Sequence, residues 1–324
     1  MNVLVIGLGS MGKRRIRCLR SLGCGSVVGY DLRADRREEA KEKYMVEVVS
    51  DVGDVLDKTD AIIISTPPNK HNEYIKLAIE NNKPAFVEAS VILKGLEQLN
   101  NLAKKQSAFI APSCTVKFHP AVKDIKNIVR SRQYGKVTNF TYHSGQYLPD
   151  WHPWEDVKDF YVSKRETGGC REIIPFELTW IIDIVGFPKN IIGFYGKTMN
   201  VGADIDDTYV ISMDFGGSYG NMVVDVVSRY ATRSLILNME QGQISWRWDE
   251  NIVKLYDAVN QGWIYYPYPQ GQTVEGYNKN IIEDMYIEET ESFINAVEGK
   301  NTFPNSLDED IKVLKLLYKI EGEL

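Results

Sequence analysis

Three glycines near the N-terminus have the spacing of a dinucleotide-binding loop. Gly7, Gly9 and Gly12 form a G-x-G-x-x-G pattern between a β-branched run and a helix-compatible stretch. In that context the first glycine makes a tight turn, the second lets the backbone approach a pyrophosphate, and the third lets helix and strand pack closely. The N–H groups at the start of the helix then face the phosphates. The pattern predicts a coenzyme site that includes Ser10 and Met11.

An acidic residue at the end of the second predicted strand bears on the choice of coenzyme. A carboxylate in the position of Asp31 accepts hydrogen bonds from the adenosine ribose and repels a 2′-phosphate, so the sequence favours NAD. Arg33 and Arg36 follow closely and leave some use of NADP open. We include Arg33 among the predicted coenzyme-binding residues.

The order of apolar runs predicts two domains of different class. Within residues 1–119, short apolar runs alternate with helix-compatible stretches, which predicts an α/β Rossmann domain with a doubly wound parallel sheet. Residues 120–324 contain one apolar helix, at 172–185, and then consecutive strand-like runs with short turns. This order predicts an α+β domain with a largely antiparallel open sheet, for substrate binding and oligomerisation. Helices predicted at 286–298 and 307–319 can pack back on the first domain.

Composition excludes several classes of protein. Acidic residues outnumber basic ones by 44 to 38, the net charge is −6, and no long Lys/Arg run is present, so a nucleic-acid partner is not expected. The apolar stretches are too short to span a bilayer, and the first strand leaves no room for a signal peptide, so we expect a cytoplasmic protein without a membrane partner. Neither the four histidines nor the four cysteines have metal-ligand spacing, which predicts reduced thiols and no metal: Cys18, Cys24, Cys114 and Cys170.

Beyond the glycine pattern, further segments carry a resemblance to a known family. The sequences ISTPPNKH at 64–71 and KPAFVE at 83–88 follow two of the predicted strands. Together with segments 118–120, 134–137 and 145–154, they resemble the glucose-fructose oxidoreductase/inositol dehydrogenase/rhizopine catabolism (Gfo/Idh/MocA) family. Segment 145–154 is similar to a branch associated with surface-polysaccharide and nucleotide-sugar pathways.

This resemblance implies a fold, a coenzyme, a substrate class and further contacts. It implies a Rossmann domain followed by a domain whose open sheet mediates homodimers or homotetramers, with NAD as coenzyme and a sugar or nucleotide sugar as substrate. By position it adds six residues to the coenzyme site: Ser65, Thr66, Pro67, His71, Glu88 and Ala89. Without the resemblance, Thr66-Pro67 also fits a simple turn at the end of a strand.

The chain departs from the family at its catalytic positions. The family's Glu-Lys-Pro is replaced by Glu88-Ala89-Ser90, so the lysine that would face the substrate hydroxyl is absent. The family's acidic residue, followed four positions later by a catalytic histidine, aligns with Glu172 and Phe176. Phenylalanine cannot transfer a proton, so another group must accept the hydroxyl proton if hydride is transferred.

Four titratable residues are therefore catalytic candidates: Glu172, His152, Tyr161 and Lys164. Glu172 is preferred because Phe176 and Pro175 suggest a partly desolvated pocket, which would raise the pKa of its carboxyl group. Both residues also have a structural interpretation. Glu172 can be a carboxylate at a helix N-terminus that the helix dipole stabilises, and His152 can be a structural tether.

Substrate contacts are expected from six residues: Lys117, His119, Trp154, Arg171, Phe176 and Glu177. The guanidinium of Arg171 suits a carboxylate or phosphate of the substrate, but a salt bridge to Glu172 or Glu177 fits equally well. Aromatic residues between 147 and 161 could stack on a sugar or a base, and they could equally form core.

Three functions remain open at this point. The first is hydride transfer to or from a sugar derivative by an NAD-dependent dehydrogenase or reductase. The second is an epimerase or lyase that retains NAD through an internal redox cycle. The third is an NAD-dependent sensor or scaffold without catalysis. Net formation of NADH indicates the dehydrogenase or reductase. Retention of bound coenzyme without net NADH indicates the epimerase or lyase, and coenzyme binding without turnover indicates the sensor or scaffold.

Overall fold

The structure is a computed structural model that describes residues 1–151, 156–271 and 282–324. The chain divides into two compact units. The first unit contains Met1–Cys114 and Met285–Lys312, and the second contains Thr115–Asp284 and Val313–Leu324. The N-terminal part of the first unit thus ends at Cys114, whereas we expected a boundary at residue 119. The first unit also includes Met285–Lys312, a segment near the C-terminus.

Strands and helices alternate in the first unit. The elements are β1 (Asn2–Ile6), α1 (Ser10–Ser21), β2 (Ser26–Tyr30), α2 (Ala34–Tyr44), β3 (Glu47–Val49), β4 (Ala61–Ile64), α3 (His71–Glu80), β5 (Ala85–Val87), α4 (Leu96–Gln106) and β6 (Ile110–Pro112). All six strands are parallel, in the order β3-β2-β1-β4-β5-β6. All four residues of β4 are buried, as expected of a central strand covered on both faces. The predicted doubly wound sheet is confirmed.

The second unit contains an eight-stranded sheet. Its elements are α5 (Pro120–Ser131), β7 (Val137–Tyr147), α6 (Gly169–Val185), β8 (Asn190–Gly196), β9 (Thr208–Asp214), β10 (Tyr219–Asp225), β11 (Val227–Met239), β12 (Gly242–Arg247), β13 (Ile252–Asp257) and β14 (Gly262–Pro267). The order is β14-β13-β12-β11-β7-β10-β9-β8, and only β7 and β10 pair in parallel. The predicted α+β class is therefore also confirmed. Two further helices complete the chain, α7 (Glu283–Val297) and α8 (Leu307–Ile320).

Three differences from the predicted elements have local causes. The edge strand β3 has only three residues, too few for a period to be detected. The exposed residues of β14 do not alternate with buried ones, so its sequence lacks the pattern of a half-buried strand. The strand-like sequence at 220–228 is divided between β10 and β11, because the Asp225 carboxylate accepts hydrogen bonds from the N–H groups of Val227 and Ser228 and forms a corner there.

Among the described residues, no helix combines the length and the apolar character needed to cross a bilayer. Within the same ranges, no three His, Cys, Asp or Glu side chains converge as a metal site.

Candidate functional site

The glycine loop leaves no room for larger residues at two of its three glycines. Gly7 has a φ of 92°, and its N–H group donates to the carbonyl of Tyr30 at 2.8 Å. A Cβ on Gly7 would lie 2.6 Å from the carbonyl oxygen of Ser65, and a Cβ on Gly12 would lie 1.8 Å from that of Gly7. The tight turn and the close packing of β1 against α1 therefore require glycine at both positions.

The start of α1 has the open geometry of an anion cradle. Gly9 is the N-cap residue and provides no side chain to cap the first turn. A Cβ on Gly9 would meet only the guanidinium of Arg36, with Nη1 at 3.4 Å. Uncapped amides of a helix N-terminus bind phosphate oxygens well, and the dipole of the helix adds to the attraction. The residues present therefore fit the pyrophosphate of a dinucleotide.

Asp31 is held rigidly at the end of β2. Its Oδ2 accepts a hydrogen bond from the N–H group of Leu8 at 2.7 Å, and its Oδ1 accepts one from that of Arg33 at 2.9 Å. A carboxylate can accept about four hydrogen bonds, so capacity remains for ribose hydroxyls. The guanidinium of Arg33 points elsewhere and pairs with Asp35 at 2.5 Å. Arg33 thus supports Asp31 through its backbone, and its side chain is engaged on the surface.

His71 lies beneath the turn that follows β4. Its side chain is buried, and Nε2 donates to the carbonyl oxygen of Thr66 at 2.8 Å. Burial lowers the pKa of His71 to about 4, so the imidazole is neutral at physiological pH. Nδ1 of His71 and Oγ1 of Thr66 are buried and have no hydrogen-bond partner among the described residues. We therefore interpret His71 as a support for the Thr66-Pro67 turn, where we predicted a residue near the coenzyme.

Glu88, after β5, forms an ion pair with a buried arginine. Its two carboxylate oxygens accept hydrogen bonds from Nε and Nη2 of Arg15 at 2.6 and 3.0 Å, and Ser65 Oγ lies 3.4 Å away. Arg15 also donates to Glu289 on α7 at 2.7 Å, and the side chains of Arg15 and Glu289 are fully buried. Ala89 follows at a half-buried position. The carboxylate predicted to face the nicotinamide is thus fixed by an ion pair, and its contact with coenzyme stays a prediction.

Two of the predicted catalytic residues lie together in the second unit. The hydroxyl of Tyr161 is 2.8 Å from Oε1 and 2.9 Å from Oε2 of Glu172, so its single proton is shared between both oxygens. Glu172 is in the first turn of α6, and Phe176 lies one turn further along the same face. All three residues are half-buried, so each is partly exposed to solvent. We call this set the outer face of α6.

The other candidates differ in how far the structure describes them. Lys164 is exposed, in the chain between Tyr161 and α6. Lys117 is half-buried in a 3-10 turn before α5. His152 and Trp154 lie outside the described residues, so their predicted roles stay predictions.

Glu177 belongs to the core, which corrects its prediction as a substrate ligand. Its side chain is fully buried and binds Arg233 at 2.7 Å. It also accepts hydrogen bonds from Tyr142, Ser144 and Trp180 at 2.7, 3.0 and 2.7 Å. These donors use the capacity of the carboxylate, so none is left for a ligand. We call these five residues the inner cluster.

Arg171 is likewise committed to a structural contact. Its guanidinium donates to both carboxylate oxygens of Glu321, near the C-terminus, at 2.7 and 2.8 Å, and to the carbonyl of Glu166 at 2.8 Å. Of the two alternatives left open for Arg171, the structure thus shows a salt bridge, with Glu321 as the partner. Because the side chain is only 8% exposed, a clamp on the substrate is not supported.

His119 is buried at the start of α5, which removes it from the substrate contacts. Its Nδ1 accepts a hydrogen bond from the N–H group of Ala121 at 3.2 Å, which caps the helix. Its ring packs against Trp246 and Tyr268, with centroid distances of 5.4 and 5.5 Å. Burial lowers the pKa of His119 to about 3, with a smaller contribution from the charge of Arg233.

Four residues that organise these regions were not predicted from local sequence patterns. Arg15 and Glu289 bind each other although they are 274 positions apart in the sequence. Arg233, in strand β11, binds Glu177, and Glu321, which follows the last helix, binds Arg171. For Arg15, Arg233 and Glu289 the only signal is a charged residue within an otherwise apolar helix or strand face, and that signal does not identify the partner.

A family profile and solved structures identify the scaffold. Residues 1–112 match the Gfo/Idh/MocA profile, described as an oxidoreductase family with an NAD-binding Rossmann fold. No curated protein matches the sequence.

Solved oxidoreductases match over the whole chain. An oxidoreductase from Agrobacterium radiobacter in complex with NAD+, L-tartaric acid and magnesium is 13% identical, with a TM-score of 0.84, and the match covers 100% of this chain and 96% of that one. A levoglucosan dehydrogenase in complex with NADH and levoglucosan is 15% identical, with a TM-score of 0.81 and coverages of 100% and 96%. The UDP-N-acetylglucosamine 3-dehydrogenase of Acidithiobacillus ferrooxidans is 16% identical, with a TM-score of 0.78 and coverages of 100% and 97%. These likenesses show a shared fold.

The glycine loop, the position of Asp31 and the profile match agree on the coenzyme, which is NAD. Residues 1–112 thus match the NAD-binding Rossmann domain of the Gfo/Idh/MocA oxidoreductase family.

Proposed function

We propose that this protein is an NAD-dependent oxidoreductase of a sugar derivative, in which Glu172 replaces the usual Lys/His pair as the proton acceptor. NAD, when bound, supplies the acceptor or donor of the hydride. The observation that carries the proposal is the hydrogen bond between Tyr161 and Glu172 at an accessible position on α6.

The pair can serve acid–base chemistry at a hydroxyl group. The Glu172 carboxylate accepts the hydroxyl proton as a carbonyl forms, and it returns the proton in the reverse direction. Tyr161 donates its hydrogen bond to whichever carboxylate oxygen is not taking up that proton. Phe176, on the same face, limits the approach of water and offers an apolar surface to a sugar ring.

A nucleotide sugar is the substrate class that we put first. Segment 145–154 is similar to the nucleotide-sugar branch, and a solved protein of the same fold is named for a nucleotide sugar. Free sugars are the second class, since another protein of this fold was solved with levoglucosan.

We further propose that the open sheet of the second unit forms the interface of a homodimer or homotetramer. Apolar side chains are exposed on the edge strand β8, with Ile192 at 60% and Phe194 at 83%, and on the adjacent strand β9, with Val210 at 46%. Large apolar patches of this kind mark association surfaces.

The test is a screen of nucleotide sugars and free sugars with NAD+ and NADH. Absorbance follows net formation or consumption of NADH, and mass spectrometry follows isomerised products. With an active substrate, Glu172→Gln should lower kcat by about 10²-fold or more, as expected for loss of a general base, while the Kd for NAD+ stays unchanged. Glu166→Gln is the matched control, because Glu166 is exposed and lies close to Glu172 in the sequence.

Each other outcome points to a different function. Isomerised product without net NADH indicates the epimerase or lyase with retained coenzyme. NAD+ binding without turnover on any sugar indicates the sensor or scaffold. Full activity of Glu172→Gln removes Glu172 from the proposed role.

A further inference from the structure

Arg36 lies next to both the glycine loop and Asp31, the two parts of the predicted coenzyme site. It belongs to the first turn of α2, and its Nη1 lies 3.4 Å from where a Cβ of Gly9 would be. The same nitrogen lies 3.7 Å from Oδ2 of Asp31. The guanidinium therefore stands beside the glycine at which a dinucleotide-binding backbone approaches the pyrophosphate.

The hydrogen-bonding capacity of Arg36 is not used by the part of the chain that the structure describes. Its guanidinium donates no hydrogen bond to any residue in the described ranges, and its 3.7 Å approach to Asp31 exceeds the usual length of a charge-assisted hydrogen bond. Its two arginine neighbours are engaged, since Arg33 pairs with Asp35 at 2.5 Å and Arg37 donates to the carbonyl of Asp31 at 2.6 Å. The side chain of Arg36 is 31% exposed, so its donors can reach a ligand.

We propose that Arg36 is a coenzyme-binding residue that pairs with the pyrophosphate of NAD. The planar guanidinium suits bidentate contact with phosphate oxygens, and it adds a full positive charge to the partial charge of the α1 N-terminus. Its charge also offsets that of Asp31, which would otherwise repel the phosphates. This inference rests on the coenzyme part of the proposed function and does not depend on the substrate.

Calorimetry with three ligands tests the proposal without any turnover. NAD+, ADP-ribose and NADP+ are titrated into the wild type, Arg36→Ala and Arg36→Gln. A lost charge-assisted hydrogen bond should weaken NAD+ and ADP-ribose about tenfold, and the affinities of the variants should depend less on salt. NADP+ should weaken by the same factor, because it has the same pyrophosphate. Arg36→Gln keeps most of the side-chain volume and is used if Arg36→Ala does not fold.

Two further variants give the comparison. Lys41→Ala removes one positive charge from an exposed position on the same helix and should bind all three ligands as the wild type does. Arg33→Ala removes the arginine that pairs with Asp35, and its effect should be much smaller than that of Arg36→Ala.

Several results would overturn the proposal. Unchanged NAD+ affinity in both Arg36 variants, or tighter binding because Asp31 is released, excludes a pyrophosphate contact. A loss restricted to NADP+ makes Arg36 a reader of the 2′-phosphate instead, and a larger loss in Arg33→Ala transfers the role to Arg33. If the wild type binds none of the ligands, the coenzyme part of the proposed function fails as well.

Discussion

Two carboxylates in the N-terminal half of α6, Glu177 and Glu172, lie in contrasting surroundings. On the inner side, Glu177 is fully buried, paired with Arg233 and bonded to three neutral donors. On the outer face, Glu172 is half-buried and receives a hydrogen bond from a tyrosine. A buried carboxylate with all its acceptors used cannot take up a substrate proton without losing a bond, whereas an accessible one with a neutral partner can. Accessibility and partner type, more than residue type, therefore separate the structural glutamate from the catalytic candidate.

The pKa values of Tyr142 and Arg233 show how strongly burial and the Glu177 charge act in the inner cluster. Burial raises the pKa of the Tyr142 hydroxyl well above its ordinary value, and the charge of Glu177 adds to this effect. Burial alone would lower the pKa of Arg233, but the adjacent Glu177 raises it above its ordinary value. The cluster is thus one buried ion pair with neutral donors that do not titrate in the physiological range.

The largest effect on stability is expected from breaking this ion pair. Arg233→Met leaves the Glu177 carboxylate buried without a counter-charge, which should lower the free energy of unfolding by about 3 kcal/mol or more. Denaturant titration followed by circular dichroism measures the change. Arg165→Met is the control, because Arg165 is exposed in its ion pair with Asp206, and we expect no measurable change there. Equal stability of the two variants would contradict the structural role of the inner cluster.

A smaller effect should follow the protonation of His119, which lies beside the inner cluster. Because burial lowers its pKa to about 3 in the folded protein, only the unfolded chain binds the proton between about pH 6.5 and pH 3. This contribution to stability is complete above pH 6.5 and is lost as the pH falls. His119→Asn keeps a capping side chain but does not titrate.

From pH 7 to pH 5 the wild type should therefore lose about 2 kcal/mol more than the His119→Asn variant. The measurement is the free energy of unfolding at both pH values, and all other titrating groups cancel in the difference. Parallel losses in the two proteins would show that His119 is accessible to protons in the folded state.

The smallest effect on stability is expected on the outer face. Glu172→Gln removes a charge at a half-buried position and keeps an acceptor for the hydrogen bond from neutral Tyr161, so the free energy of unfolding should change by less than about 0.5 kcal/mol. The measurement is the melting temperature of Glu172→Gln and of Glu177→Gln, each compared with that of the wild type. A change as large as that of Glu177→Gln would place Glu172 with the structural carboxylates and weaken its proposed role in proton transfer.

Local sequence was enough to predict the elements that build the coenzyme site. Strands β1 and β2 and helix α4 follow the alternation of apolar runs and helix-compatible stretches predicted for residues 1–119, because periodicity and glycines act over a few residues. The shape of the glycine loop is likewise local, since Gly7 and Gly12 meet each other's backbone. Glu172 and Phe176 share a face for the same reason, being one helical turn apart.

Only the tertiary structure decided which charged residues are structural. The sequence placed Arg171, Glu177 and His119 near a substrate, but each has a buried partner from a distant part of the chain. Arg171 and its partner Glu321 are separated by 150 positions, and Arg15 and Glu289 by 274. No local pattern specifies such pairs, because burial and counter-charge are properties of the packed fold. The sequence by itself determined the Rossmann scaffold and its coenzyme, and packing determined which carboxylate remains accessible for chemistry.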